Sequence, residues 1–441
     1  MTTFTSPFGR QLDKTSRLEL KFESYSSVAE VTPTLPHGGW ETASLKPVMV
    51  GEARVAIIGG SVGGLTTGLL LRDLGLPVTV YERSGAELEQ RGAGIGFLPT
   101  TYRYLVERAH VDLDAISTTT AKIRYLDRHD SILYEQAQPY RFTNWNTIYR
   151  SLLRCFGRER YLLGHEMVNL QQEDGKVQVR FANQAEVDVD LLVCADGVGS
   201  RGRACVLPAA QPVYAGYVAW RGLVPEKELG KTAAAFLDAI TYYVYANSHI
   251  LVYPIPGQDG SVAPGEWLIN FVWYRNYLPG TDLQDLMTDC RGTVHEVSLP
   301  PGAAREEHVA EMRATAAARL PARIAEVVLA TRQPFAQVIL DKDTPRMVFG
   351  RVCLLGDAAF VVRPHAAAGT AKAAADAWEL AAALQSKPDI DSALGAWEPG
   401  QLELGRKLLE RTRKIGRHSQ VDGTWTPSDP ELIFGLYEPG H

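Results

Sequence analysis

Three carboxylates stand where apolar runs end. Glu82 closes VTVYE, Asp196 follows VDLLVCA, and Asp357 follows VCLLG, the last two beside Gly197 and Gly356. A carboxylate at the carboxyl end of a buried strand can accept hydrogen bonds from ligand hydroxyls. The glycine-rich run IIGGSVGG precedes the first of them and has the spacing of a turn that cradles phosphate. In it Gly59 permits a tight turn, while Gly63 and Gly64 let a helix start close against the strand. Ser61 replaces the middle glycine and can donate its hydroxyl to a phosphate oxygen. Glu82, with Arg83 beside it, lies where an acidic group holds a ribose hydroxyl pair. The chemistry implied is binding of an adenine dinucleotide.

The elements that must position these groups follow from periodicity. Residues from Arg54 to Glu82 read strand, glycine turn, helix, strand, the dinucleotide-binding unit. Val352 to Trp378 reads as a buried strand, a loop shaped by Pro364 and Gly369, and an alanine-rich helix whose first amides near Gly369 and Thr370 carry a positive partial charge. RGAGIGFLP (Arg91 to Pro99) is a second glycine-rich loop that could let backbone pass close to a flat ligand. A helix from Thr147 to Phe156 carries Arg150, within reach of a phosphate or ribityl chain if it faces inward and a surface arginine otherwise. Tyr214 to Gly222, Ile240 to Gly257 and Gly265 to Asn276 are aromatic and β-branched and predict a largely antiparallel sheet, on which His249, Leu251 and Tyr253 share one face. Asp282 to Ala330 reads as helices with loops, and Ser392 to Ile415 as a terminal helix.

Composition excludes several classes. With 45% apolar and 22% charged residues the chain is globular, and a net charge of −6 argues against a nucleic-acid partner. RTRKIGR (Arg411 to Arg417) reads as a solvated helix face. The five cysteines show no metal-ligand spacing and predict no metal, and they read as small residues in a reducing compartment. No stretch approaches the ~18 apolar residues of a membrane helix, and no signal pattern is present, so a cytoplasmic location is expected. Residues 1–50 read as an extension that Phe22 or Trp40 could anchor to the body or to a second copy in a homodimer.

IIGGSVGG, the Ala195-Asp196-Gly197 segment and GDAAFVVRPHAAAG, in this order, resemble the single-component FAD-dependent aromatic hydroxylases, the group typified by p-hydroxybenzoate and salicylate hydroxylases. The resemblance implies an α/β fold: a Rossmann-like FAD-binding domain with a mixed or parallel sheet, an antiparallel-sheet substrate domain and a C-terminal helix. The expected segments are the extension (1–50), FAD-binding parts at 51–121, 147–211 and 342–390, substrate-domain strands at 122–146, the main substrate domain at 212–341, and a terminal helix and tail at 391–441. By position, Asp357 would hold the ribityl chain, Pro364, Gly369 and Thr370 would border the isoalloxazine ring, and Asp196 and Arg201 would fall in a segment tied to both FAD and NAD(P)H. Ala367 and Ala368 stand where many members carry Gly and Gln. A single dinucleotide unit agrees with resident FAD and transient NADH or NADPH.

The implied reaction is hydroxylation of an electron-rich hydroxypyridine or phenol with O2, through a flavin hydroperoxide. Such rings react better deprotonated, so a general base is expected on the sheet. His249 is the first candidate, Tyr253 the second, and His365 the third through its neighbour Pro364. The alternative for His249 is a satisfied core histidine. Tyr217, Trp220, Arg221, Asn270 and Trp273 are the remaining wall candidates, Arg221 favouring an anionic substrate if it points inward. Rival readings are a natural-product oxygenase performing epoxidation or oxidative decarboxylation, a flavin-binding protein without turnover, and a plain NAD-dependent dehydrogenase.

Overall fold

The computed structural model describes residues 51, 53–88 and 93–441. The 1–50 extension, with Phe22 and Trp40, and the Arg91-Gly92 start of the second glycine loop lie outside the described residues.

Four apolar runs, buried on both faces, form a parallel sheet, as strands covered by helices on each side must. Val55–Ile58 lies at its centre, flanked by Leu191–Cys194 and then Val352–Leu354 on one side, and by Val78–Tyr81 and then Tyr161–Leu162 on the other. Val348–Phe349 adds an antiparallel edge. The helices Val62–Asp73 and Gly369–Ser386 follow from strand ends on this sheet. The Asp196 and Asp357 strand ends therefore lie side by side and the Glu82 strand end lies one strand further along, beyond Val55–Ile58, where an open α/β sheet binds its ligands.

The second sheet has eight strands in the order Phe335–Asp341, Val213–Pro225, Leu268–Asn276, Ser248–Ile255, Ala239–Tyr245, Thr118–Leu126, Ile132–Asn144 and Gly94–Gly96. It is antiparallel except where Ala239–Tyr245 runs parallel to Thr118–Leu126. Its strands carry apolar side chains on both faces. Val218, Trp220, Phe271 and Trp273 pack in one core with Met312, Ile324 and Val328 of the helices Glu306–Arg319 and Ala322–Ala330. Complete burial of Phe271 alone stabilises by roughly 1.5–3 kcal/mol. Tyr217, Leu251, Tyr253, Val272 and Tyr274 form the other core, with Phe142 and Phe434. Residues 167–189 add a small three-stranded sheet. The long helix Ile390–Arg417 packs on Gly369–Ser386, and the turn His418–Asp422 after it packs on Ser248–Ile255 and Leu268–Asn276 of the eight-stranded sheet.

Candidate active site

A cavity of about 450 Å³ runs from the carboxyl ends of the parallel sheet to the Tyr253 face of the larger sheet. At the nucleotide end Gly59 adopts a φ of +100°, and a Cβ there would lie 2.4 Å from the Ala195 carbonyl oxygen. Only glycine fits that turn. Gly64 is equally constrained, since a Cβ would come within 1.9 Å of the Gly59 oxygen. These two build the turn, while Ser61 and Gly63 line the cavity itself. The Ser61 side chain makes no capping bond to its helix.

Glu82 is buried behind this turn. Its carboxylate accepts the Gly60 N–H at 2.8 Å and the Ser84 N–H at 2.9 Å, which ties the glycine turn to the second strand. Arg83 is exposed beside it. Arg150 lines a separate, smaller cavity with Thr147, Arg154 and Asp259.

Asp196 and Arg201 differ from expectation. The Asp196 carboxylate accepts the Ser200 hydroxyl at 2.5 Å and the Arg201 and Gly202 N–H groups at 2.7 and 3.1 Å, so it caps the short helix Arg201–Val206. Its neighbours Ala195, Gly197 and Val198 line the cavity instead. Arg201 is exposed and donates to the Val168 carbonyl, away from the cavity. The inward arginine is Arg203, which is 3% exposed and donates to the Ala358 carbonyl at 3.0 Å, the Asp357 carbonyl at 3.3 Å and the Val198 carbonyl. It clips the two aspartate turns together.

Asp357 lines the cavity, and among the described residues its carboxylate accepts no hydrogen bond. Burial pushes its pKa up to about 6 against the pull of the Lys372 and Arg203 cations, with Asp376 adding to the rise. Lys372 and Asp376 form a fully buried pair one helical turn apart at 2.6 Å, and the same Asp376 oxygen accepts the Gly356 N–H at 2.9 Å. The pair thereby fixes the backbone of the Asp357 turn. Pro364, Gly369 and Thr370 complete this side, and the helix at Gly369 has no side-chain cap.

On the sheet side, Leu251 and Tyr253 line the cavity as expected from period-two spacing, and Arg221, a wall candidate, lines it too. Arg221 donates to the Gly94 carbonyl at 2.7 Å and to Gln337 at 3.2 Å. Its Nε is buried without a partner, and no carboxylate pairs with it among the described residues. Tyr253 donates its hydroxyl to the same Gly94 carbonyl at 2.9 Å, and its ring stacks on Phe142. Asn270 accepts the Gly94 N–H at 3.1 Å. A Cβ at Gly94 would stand 2.8 Å from the Tyr253 ring, so this loop needs glycine to lie against the sheet. Tyr253 and Asn270 thus hold the loop: Tyr253 has its proton committed and Asn270 sits behind the wall.

The two histidine base candidates do not reach the cavity. His249 is 1% exposed, stacked between Tyr274 and Trp425 at centroid distances of 4.4 and 4.6 Å, and accepts the Gln420 amide on Nδ1. Burial pushes its pKa down to about 3, so it stays neutral: it is the core histidine of the alternative reading. His365 accepts from Tyr217 on Nε2 at 2.7 Å, because Arg363 donates to the Tyr217 oxygen at 3.2 Å and turns the phenol proton toward the ring. Burial holds the pKa of His365 well below its usual value as well. Tyr217 is occupied in this cluster, which ends in the bidentate Arg363–Asp341 pair. Trp220 and Trp273 are opposite each other in register and lie on the helix-covered face, one residue out of phase with the cavity face.

Lining residues absent from the sequence reading include Phe142, Trp145, Tyr274, Gln337 and Phe434. Tyr274 was obtainable: Val272 and Tyr274 share the phase of Leu251 and His249 across the strand pair.

Comparison with known proteins agrees with this architecture. Residues 214–341 match a family model described as FAD binding domain-like. The chain is 38% identical over 394 residues to 2,6-dihydroxypyridine 3-monooxygenase of Paenarthrobacter nicotinovorans, covering 87% of this chain and 96% of the relative. The chain belongs to the FAD-dependent aromatic hydroxylases. A solved structure of 2,6-dihydroxypyridine-3-hydroxylase from Arthrobacter nicotinovorans superposes with a TM-score of 0.84 at 35% identity, over 90% of this chain and 99% of that one. 6-Hydroxynicotinate 3-monooxygenase of Bordetella bronchiseptica is 25% identical over 88% of this chain and 96% of its own length.

As a member of this family the chain is an oxidoreductase that uses FAD, NAD(P)H and O2 to hydroxylate an aromatic ring. Its residues fit the cofactor on chemical grounds. Two uncapped helix starts, the turn at Gly59 and the unpaired Asp357 carboxylate face one cavity, matching the phosphates and hydroxyls of a flavin dinucleotide. Among the described residues no helix is long and apolar enough to cross a membrane.

Proposed function

We propose that the enzyme hydroxylates a small hydroxypyridine, bound as its anion against Arg221. The observation that carries this reading is the Arg221 guanidinium on the cavity wall, with no acidic partner among the described residues and a buried, unpaired Nε. A half-buried cation without a counter-ion favours a ligand that supplies one. Two relatives that act on hydroxypyridine-type rings, the dihydroxypyridine and hydroxynicotinate monooxygenases, support the same substrate class.

In this account the cofactor supplies the redox chemistry, taking electrons from NADH or NADPH and delivering one oxygen atom of O2 to the ring. The chain's residues do the rest. Gly59, Ser61, Gly63 and Gly64 would hold the pyrophosphate at the first helix start, with Glu82 holding the turn from behind. Asp357 would accept the ribityl hydroxyls. Pro364, Gly369 and Thr370 would border the ring, the helix-start amides favouring negative charge at its edge. Leu251, Tyr253, Val272 and Tyr274 provide an apolar wall that excludes water. No histidine is required as base, because Arg221 stabilises the ionised form of the substrate and so performs the activation expected of His249.

The test is a turnover screen of purified flavoprotein with 2,6-dihydroxypyridine, 6-hydroxynicotinate, 3-amino-4-hydroxybenzoate and uric acid, scored by stimulated NAD(P)H oxidation and product mass. Preferred turnover of 3-amino-4-hydroxybenzoate or uric acid over both pyridines would refute the reading.

A further inference from the structure

Phe434 lies far from the three cofactor motifs, in a tail with no periodic signal, yet its side chain lines the cavity and is 6% exposed. Its ring sits 4.6 Å from Tyr140 and edge-on to Phe142 at 6.5 Å, and its Cδ2 lies 3.7 Å from where a Cβ of Gly96 would stand. The backbone around it is fixed from two sides. The Phe434 N–H donates to the Tyr140 hydroxyl at 3.0 Å on the substrate sheet, and the Gly435 N–H donates to the Ala366 carbonyl at 3.2 Å in the turn after Pro364. Arg411, on the long terminal helix, donates to the Glu431 and Gly435 carbonyls at 3.1 and 3.0 Å and also to the Ile433 carbonyl. One guanidinium therefore holds three carbonyls of this strap.

We infer that Phe434 is a specificity-determining residue, the wall that limits the chamber to a single aromatic ring. This deepens the proposed hydroxypyridine reading and rests on it. The physical reason is that the ring cannot swing aside. Its backbone is bonded on both sides, and Tyr140, Phe142 and the Gly96 loop fill the space around it. A fused second ring would need the volume that Phe434 occupies.

The test compares 2,6-dihydroxypyridine with 1,3-dihydroxyisoquinoline, its benzo-fused counterpart, on wild-type holoenzyme, Phe434→Ala and Phe434→Leu. For Phe434→Ala, kcat/KM for the pyridine should fall about tenfold or more while that for the isoquinoline rises about tenfold, a combined change in their ratio of about a hundredfold, at the upper end of what one methylene in an apolar pocket confers. Flavin content should stay at the wild-type level. Phe434→Leu, which keeps much of the volume, should move both values in the same directions by less, and it carries the comparison if the alanine variant does not fold. A parallel fall for both rings, or no change in their ratio, overturns the assignment and leaves the hydroxypyridine reading standing. Wild-type enzyme inert toward the pyridine overturns both.

Discussion

Replacing Arg221 by Met keeps most of the side-chain volume and removes the one cation that, among the described residues, the sheet contributes to the cavity wall. A substrate oxyanion about 4 Å from the guanidinium would gain about 4 kcal/mol at an effective dielectric of about 20. Both partners lose hydration on binding, so the net effect is that of a hydrogen bond to a charged group, about 1.5–3 kcal/mol. Affinity for 2,6-dihydroxypyridine should therefore fall about ten- to a hundredfold. The pH dependence is the sharper signature. If the anion binds, wild-type affinity should rise about tenfold per pH unit until the substrate's own ionisation is complete, and in Arg221→Met that rise should flatten. The assay is titration of the bound flavin's absorbance with substrate at a series of pH values. Arg221 also donates to the Gly94 carbonyl, so flavin content must be measured alongside, and Arg221→Lys shows whether charge alone suffices. An Arg221→Met variant with full flavin, whose affinity follows pH as steeply as wild type, would refute the role of Arg221.

Two further predictions concern His249 and Asp357. His249→Asn should leave coupling of NAD(P)H oxidation to product unchanged and lower stability by about 2–4 kcal/mol through lost stacking in the Tyr274–Trp425 sandwich; a hundredfold slower hydroxylation with intact flavin would restore it as the base. Its folded pKa of about 3 lies below the unfolded value of about 6.5, so the unfolded state binds the extra proton between them. Stability from this residue is complete above pH ~6.5 and is lost as pH falls toward 3, and urea midpoints of His249→Asn should fall less steeply over that window. Asp357→Ala should weaken FAD about tenfold to a thousandfold, the loss of one or two hydrogen bonds to a charged acceptor, read as flavin released on dialysis; full retention would remove Asp357 from the cofactor site.

Much of the nucleotide end was legible because its signals are local. Gly59, Gly64 and Asp357 are demanded by a turn, a close approach and a strand end, all within a few residues of sequence. Arg203 carried no signal in the sequence because a short helix places it on a different face from Arg201, and nothing in RGRACV marks which one meets the Asp357 turn. Trp220 and Trp273 failed for a different reason. Both faces of the larger sheet are apolar, so composition does not say which is the cavity side, and the register that decides it couples strands about fifty residues apart. The same burial hid the state of His249, whose neighbours Gln420 and Trp425 come from a tail some 170 positions downstream. Phe434 belongs to that tail and carries no local signal at all.

The central claim is that this chain places one oxygen atom of O2 on a hydroxypyridine. Turnover of 2,6-dihydroxypyridine by the FAD-loaded protein under ¹⁸O2 with NADH or NADPH tests it most directly. The account predicts one ¹⁸O atom in each product molecule, with reductant consumed in proportion and little oxidation when the pyridine is omitted. Reductant oxidation that yields only hydrogen peroxide, or a product whose new oxygen comes from water, would contradict it.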